Sequence, residues 1–186
     1  MGAPKITDKR WSIDLEKRIQ EEHYGESYNT RYSFNPASEK EIFVIDTPPP
    51  YPSGTWHIGA VAQYSMIDVI ARSQRLLGKE VYFPWGVDRN GINIEFTVEK
   101  KTGKKMRTFE RGEFIDICKE TIEEYTQAMR ETACRVGLSC SFENEYLTDS
   151  PEYRSVSQSI FVDLFKQGNI IEDLRPNIYD PIEGKQ

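Results

Sequence analysis

The residues best suited to chemistry lie in one stretch, residues 46–60, which reads Asp-Thr-Pro-Pro-Pro-Tyr-Pro-Ser-Gly-Thr-Trp-His-Ile-Gly-Ala. Its glycines allow the backbone to approach a ligand closely, and a helix that begins there would offer unpaired N–H groups to phosphates. His57 can donate a hydrogen bond to a phosphate oxygen. Together these features favour a nucleotide as the ligand. Because a histidine at a helix start is also a common structural cap, the Gly-x-x-His-x-Gly turn alone leaves both interpretations open.

This stretch is expected to connect a strand to a helix. Residues 41–46 form a short run rich in β-branched and aromatic residues, which predicts a buried strand halted by the triple proline. After Gly59 the apolar residues switch to helical spacing until Gly78, and the predicted buried face comprises Met66, Ile67, Ile70, Ala71 and Leu77. A second strand is predicted at residues 80–83, stopped by Pro84 and Gly86. Strand, helix and strand predict a parallel α/β sheet, whose ligands bind at the carboxyl ends of the strands.

The remaining elements are mostly helices. Trp11, Leu15 and Ile19 are four residues apart, which predicts an amphipathic helix over residues 8–22, followed by an irregular connector over residues 23–39. A long helix is predicted from Phe114 to Val136, and another from Ser150 to Gly168. A last strand is expected near residues 169–171.

Bulk properties exclude several classes of protein. The chain has 186 residues, a net charge of −6 and no apolar run approaching the roughly 20 residues of a membrane span, so we expect a cytoplasmic protein that does not bind membranes. The negative charge argues against a nucleic-acid-binding domain with a basic face. Cys118, Cys134 and Cys140 show no CxxC spacing, so neither a zinc site nor a disulfide framework is predicted.

Residues 52–59, Pro-Ser-Gly-Thr-Trp-His-Ile-Gly, resemble the HIGH signature of class I aminoacyl-tRNA synthetases. The resemblance continues through residues 68–72, 82–91 and 94–95, and covers roughly residues 41–183. Asp-Thr-Pro-Pro-Pro at residues 46–50 is similar to the valine branch, whereas leucine enzymes usually show an aromatic in place of the second proline and isoleucine enzymes a glycine before two prolines. Residues 52–60 and Asp-Arg-Asn-Gly at residues 88–91 resemble the archaeal type of that branch.

The resemblance implies a fold, substrates and partners. The fold class is α/β: the first half of a Rossmann-like parallel sheet with flanking helices over residues 41–173, after an N-terminal helix and connector over residues 1–40. Residues 174–186 would begin the junction to an inserted editing domain. The substrates would be valine and ATP with Mg²⁺, and the partner tRNA(Val), held mostly by parts outside this sequence. No metal bound by the protein itself is predicted.

The resemblance also implies roles for residues. His57 would be the catalytic residue and meet the ATP phosphates, and the other ATP-binding positions would be Ser53, Gly54, Gly59 and Ala60. The amino-acid-binding positions would be Pro48, Pro49, Tyr51 and Asp88. Within this set Asp88 would hold the substrate ammonium, with the Pro48 carbonyl as a possible second partner. Trp56 would line the same mouth.

Each role has a simpler alternative. Asp88 lies between Gly86 and Gly91 and suits a turn, the triple proline suits a strand end, and Trp85 is interpreted as a core aromatic. Ala60 stands where the signature usually has a second histidine or an asparagine. No Lys-Met-Ser-Lys-Ser motif occurs, so the chain is expected to be a fragment without the second ATP half-site, exposing apolar surface. A sister ligase for isoleucine or leucine and an inactive nucleotide-binding module remain as alternatives.

Overall fold

The structure is a computed structural model and describes residues 10–23, 28–52 and 56–182. Contacts divide the chain into two compact units, Met1–Asp149 and Ser150–Gln186. The helices are α1 (Ile13–His23), α2 (Tyr28–Arg31), α3 (Ile58–Leu76), α4 (Asn93–Thr102), α5 (Arg111–Val136) and α6 (Pro151–Lys166), with a 3₁₀ turn at Met106–Thr108. The strands are β1 (Ile42–Val44), β2 (Glu80–Tyr82), β3 (Pro84–Val87) and β4 (Ser141–Leu147).

The sheet of the first unit is parallel, as the strand–helix–strand pattern predicts. β1 pairs with β2, and β3 pairs with β4. Only Phe83 separates β2 from β3, so a single extended segment carries both pairings. The Tyr82 carbonyl accepts from the Ile45 amide on one edge, and the Phe83 carbonyl accepts from the Ser141 amide on the other. Because successive carbonyls of a strand point to opposite sides, β1 and β4 flank this segment.

β1 is less buried than predicted. Ile42 is 49% exposed and Val44 57% exposed, Phe43 packs only partly against the core, and Ile45, just past the strand, is buried at 9%. The described residues give β1 a partner on one edge alone, which accounts for its exposure. The prediction of a buried strand is therefore wrong for residues 42–44, although the strand itself is confirmed.

The helix after Gly59 is confirmed, but it buries a different face. Tyr64, Asp68 and Ala71 are its buried residues, and Ile67 packs partly against the core. Three members of the predicted face, Met66, Ile70 and Leu77, are at least half exposed. The prediction differs because two of the buried side chains, the carboxylate of Asp68 and the phenol of Tyr64, are polar. A pattern of apolar residues does not locate them.

Asp68 is buried because its charge is satisfied. Its Oδ1 accepts from the amide and hydroxyl of Ser139, and its Oδ2 accepts from Arg72 Nε at 2.6 Å. Arg75, one turn along α3, donates to the Ser139 carbonyl at 2.8 Å. A buried charge is tolerated when it is paired and hydrogen-bonded, so this cluster fastens α3 to the turn that follows α5.

Two strands and two helices lie where none is predicted, and one predicted strand is absent. β3 runs through Pro84 and Gly86, the residues expected to stop the second strand, and β4 is polar enough to escape an apolar pattern. α4 occupies a segment left unassigned, and the expected irregular connector contains the one-turn α2. Residues 169–171 form no strand.

Local capping signals place the long helices correctly. α5 ends at Gly137, which adopts φ +80°, a left-handed conformation that glycine accepts without a Cβ penalty. In the second unit, Ser150 Oγ accepts from the Tyr153 amide at 3.2 Å and Pro151 opens α6. The predicted N-terminal helix is present, but α1 begins after Ser12, so Trp11 of the predicted stripe lies outside it and is 72% exposed. In the described part of the chain no helix is both long and apolar enough to cross a membrane.

Candidate functional site

His57 caps the amino end of α3 with its own ring. Its Nδ1 accepts from the amides of Gly59 at 3.1 Å and Ala60 at 3.3 Å. When Nδ1 accepts, the proton of a neutral imidazole resides on Nε2. His57 is exposed, so this Nε2–H is a donor directed away from the helix backbone. The cap and the predicted phosphate contact are therefore compatible, because they use different ring nitrogens.

The same contacts correct one expectation about the helix start. The sequence predicts unpaired N–H groups at the helix start that are available to phosphates, but the amides of Gly59 and Ala60 both donate to His57. Gly59 favours this arrangement, because a Cβ there would lie 3.0 Å from the ring atoms Nδ1 and Cε1, and the ring would have to shift. The His57 imidazole is therefore a donor that this helix start presents in place of the two amides.

The triple-proline loop is held from two sides. Tyr64 of α3 donates its hydroxyl hydrogen to the Pro48 carbonyl at 3.0 Å, and the Asp88 amide donates to the Pro50 carbonyl at 2.9 Å. The loop is thus more than a strand terminator, because it ties α3 to the end of β3. The Pro48 carbonyl keeps a second lone pair, which is what a second contact to an ammonium requires.

Asp88 follows β3 directly and forms a local turn. Its Oδ1 accepts from the Asn90 amide at 3.1 Å, as the turn interpretation predicts, and from Thr148 Oγ1 at 3.1 Å. Among the described residues none donates to its Oδ2. A half-buried carboxylate with one oxygen fixed and the other available suits a cationic group, so the turn and the ammonium contact are also compatible.

Arg89 neutralises the acidic residues next to this carboxylate. Its side chain is only 9% exposed and lies 2.6 Å from Glu123 Oε2 and 3.1 Å from Asp149 Oδ1. It is turned toward α5 and the end of β4 by these contacts. Asp88 therefore keeps its charge available instead of sharing it with the neighbouring arginine.

Tyr51 borders the same region. Burial raises the pKa of its hydroxyl, an effect that the nearby Ile94 backbone opposes and the charge of Asp88 adds to. Its ring lies 3.9 Å from where a Cβ on Gly91 would stand. Pro49 and Ala60 are half-buried and Pro48 is exposed. Ser53 and Gly54, two of the predicted ATP-binding positions, lie outside the described residues.

An aromatic cluster underlies the loop. Trp56 stacks on Tyr64 with ring centroids 4.9 Å apart, and Trp85 packs against Trp56 at 5.8 Å and Phe142 at 5.4 Å. Trp85 is 2% exposed, so its interpretation as a core aromatic is confirmed. Trp56 is half-buried against the cluster.

Three side chains near the predicted positions were missed: Tyr64, Tyr146 and Thr148. The Tyr146 ring covers Gly86 so closely that a Cβ there would overlap it. Tyr146 and Thr148 belong to β4 and its end, and no local signal connects them to Asp88. For Tyr64 the sequence offers one signal, which is its position two turns after His57 in a predicted amphipathic helix.

The described residues contain no group of three or more acidic, cysteine or histidine side chains arranged to hold a metal ion. The three cysteines are unpaired. Burial raises the pKa of each thiol, most strongly at Cys140 in the core.

His57 at the start of α3 and Asp88 after β3 belong to a chain whose family can be assigned by comparison with known proteins. The family model for tRNA synthetases class I (I, L, M and V) matches residues 20–183, and the chain belongs to this family.

Several relatives carry one name. The chain is 42% identical over 171 residues to the valine–tRNA ligase of Thermoplasma acidophilum, covering 91% of this chain and 22% of the relative. It is 45% identical to that of Archaeoglobus fulgidus, covering 81% and 17%, and 41% identical to that of Rickettsia akari, covering 82% and 19%. The chain therefore spans about a fifth of the length of the curated relatives it matches.

A solved structure gives the same fold. The agnB2 LeuRS of Agrobacterium radiobacter K84, in a ternary complex of LeuRS, tRNA and LeuAMS, superposes with a TM-score of 0.65 at 28% identity. The match covers 92% of this chain and 20% of that one.

Proposed function

We propose that this chain carries the amino-acid- and ATP-binding part of a valine–tRNA ligase. In the proposed reaction a carboxylate oxygen of valine attacks the α-phosphorus of ATP, which is held with Mg²⁺, and pyrophosphate leaves. A ribose hydroxyl of tRNA then attacks the carbonyl carbon of the adenylate, and AMP leaves. The protein would act in the cytoplasm. The similarity to relatives named valine–tRNA ligase at 41–45% identity is the observation that carries the proposal.

His57 is proposed to act on the phosphates. Its Nε2–H is an exposed donor, and its position is fixed because Nδ1 is occupied by two backbone amides. A donor that is oriented before the substrate arrives stabilises developing charge without a reorganisation cost. Ser53, Gly54, Gly59 and Ala60 are proposed to lie along the nucleotide, where a small residue at position 60 permits close approach.

Asp88 is proposed to hold the α-ammonium of valine, with the Pro48 carbonyl as the second acceptor. An available carboxylate oxygen and a carbonyl with a free lone pair supply the acceptors that an ammonium needs. Pro49 and Tyr51 are proposed to bound the pocket for a small branched side chain. No group of the described residues would hold Mg²⁺ alone, so the ion is proposed to arrive with ATP as part of the substrate.

Binding of non-hydrolysable adenylates by the chain tests this proposal. Calorimetry with the valyl, isoleucyl, leucyl and threonyl sulfamoyl-adenosines should show the tightest binding for the valyl compound. Asp88→Ala and His57→Ala should each weaken it by about tenfold or more, the loss expected for one hydrogen bond to a charged group. Lys119→Ala, which alters an exposed residue of α5, serves as the control and should change nothing.

A leucine- or isoleucine-specific ligase is the second candidate, favoured by the structural similarity to a LeuRS. Tighter binding of the leucyl or isoleucyl compound would establish it in place of valine specificity. Equal, weak binding of all four compounds, unaffected by Asp88→Ala, would contradict both candidates and support a nucleotide-binding module without amino-acid recognition.

A further inference from the structure

Thr148, at the carboxyl end of β4, is the polar centre of the turn that carries Asp88. Its Oγ1 accepts from the Arg89 amide at 2.9 Å and from Asn90 Nδ2 at 2.8 Å. It donates to Asp88 Oδ1 at 3.1 Å. Its own amide donates to the Val87 carbonyl at 3.2 Å, which continues the pairing of β4 with β3. One buried side chain thus contacts three successive residues, 88–90.

The direction of the hydroxyl hydrogen follows from this geometry. A threonine hydroxyl has one hydrogen to donate and two lone pairs to accept with. Both lone pairs of Thr148 Oγ1 are engaged by the Arg89 amide and the Asn90 side chain. The single hydrogen is therefore committed to Asp88, and because Thr148 is 6% exposed, water does not compete for it.

The hydrogen bond from Thr148 determines which oxygen of Asp88 is available. Oδ1 accepts from Thr148 and from the Asn90 amide, whereas among the described residues Oδ2 accepts from none. A carboxylate held by one oxygen cannot rotate freely about its terminal torsion, so the other oxygen keeps a fixed direction.

We propose that Thr148 is a positioning residue for amino-acid recognition, which holds the Asp88 carboxylate so that Oδ2 meets the α-ammonium of the substrate. This inference rests on the proposed function, because it assigns Asp88 the ammonium. Thr148 acts through Asp88 and does not touch the substrate.

The test compares two ligands that differ only in the ammonium. The valyl sulfamoyl-adenosine carries the α-amine, and the 3-methylbutanoyl compound has the same branched side chain and nucleotide without it. The ratio of their dissociation constants, measured by calorimetry with the complete chain, reports recognition of the ammonium alone. A variant that merely loosens the fold changes both constants together and leaves the ratio unaltered.

Thr148→Val replaces the hydroxyl with a methyl group of similar size and keeps the backbone pairing. It should weaken the valyl compound about tenfold and leave the other compound unchanged, so the ratio falls about tenfold. Thr148→Ser, which retains the hydroxyl, should preserve the ratio. An unaltered ratio in Thr148→Val, with wild type still favouring the valyl compound, overturns the positioning role and leaves the proposed function intact.

Asn90→Ala provides a second variant in case the buried substitution prevents folding. Asn90 is exposed, and removing its side chain takes away one of the two donors that hold Thr148 Oγ1, so the hydroxyl is less firmly oriented toward Asp88. The ratio should fall by about threefold, a fraction of the loss of the whole hydrogen bond. If it does not fall, the committed hydrogen is not what orients Asp88. If wild type binds both compounds equally, the proposed function fails, and the role of Thr148 fails with it.

Discussion

The hydroxyl of Tyr64 donates to the carbonyl oxygen of Pro48 across 3.0 Å, and it does so from a position only 6% exposed. A helix that begins at the predicted phosphate site thereby reaches the loop predicted to bind the amino acid. The side chain of Tyr64 therefore connects the two halves of the candidate site, and the effects of this contact can be measured.

The first prediction concerns alkaline pH. Burial raises the pKa of Tyr64 from 10.0 to about 12. Below pH 10 the phenol is protonated in both folded and unfolded chains, whereas between pH 10 and 12 only the unfolded chain loses the proton. Stability should therefore fall over this window, by up to about 3 kcal/mol for a shift of two pH units. Urea unfolding at pH 8 and pH 11 should show that Tyr64→Phe lacks this part of the fall. An identical pH dependence in the two proteins would contradict the assignment.

The second prediction concerns the tautomer of His57. Because Nδ1 accepts hydrogen bonds from two amides, the neutral ring should carry its proton on Nε2. The chemical shifts of the ring nitrogens report this tautomer directly. Gly59→Ala should displace the ring and yield a mixture of tautomers, at a cost of about 1 kcal/mol for the lost cap. The sequence has two histidines, so His23→Gln assigns the signals. A pure Nε2–H signal in Gly59→Ala would show that the cap does not set the tautomer.

The third prediction concerns the buried cluster around Asp68. Asp68→Ala should lower the free energy of unfolding by about 2 kcal/mol, because it leaves the buried amide and hydroxyl of Ser139 without their acceptor. Asp116→Ala is the matched control. Its ion pair with Lys119 is 3.7 Å long and more than 70% exposed on both sides, so its loss should cost well under 1 kcal/mol. Equal effects in urea unfolding would rule out a fastening role for Asp68.

The fourth prediction concerns self-association. Met66, Val69 and Ile70 form a cluster on α3 that is 50–66% exposed, and uncovered apolar surface of this kind favours association. Changing all three to glutamine should shift sedimentation velocity profiles toward the monomer. Ile115→Gln, on α5, provides the control because Ile115 is 40% exposed and lies on a different helix. A wild-type chain that sediments as a monomer at all concentrations would refute the prediction.

Much of the fold follows from local signals. Ser150 and Pro151 start α6, and Gly78 and Gly137 lie just beyond the ends of α3 and α5, because caps depend on residues a few positions apart. β4 could not be located in this way. Its sequence Ser-Phe-Glu-Asn-Glu-Tyr-Leu lacks an apolar run, and its pairing with β3 depends on residues far away in the chain.

The same distinction between local and distant signals applies to the residues of the candidate site. His57 and Asp88 are predicted as site residues because the motifs around them resemble those of a known family, whereas turns and glycines alone leave a structural role open for each. Tyr64 and Thr148 are not, because each matters only through a contact with a distant segment. The chemistry of a residue can be guessed from its neighbours in the chain, but the groups that orient it come from other elements.

The pairing of Gly86 with Tyr146 joins positions sixty residues apart in parallel strands. This pairing closes a loop that contains α4 and α5, and closing a long loop costs conformational entropy that the contacts at its ends must offset. Slow amide exchange at Ser141 and Thr148 should therefore be lost in the same cooperative opening, whereas α1 frays independently. Competence to bind an amino acid would then be a property of the folded first unit as a whole, absent from any partly folded chain.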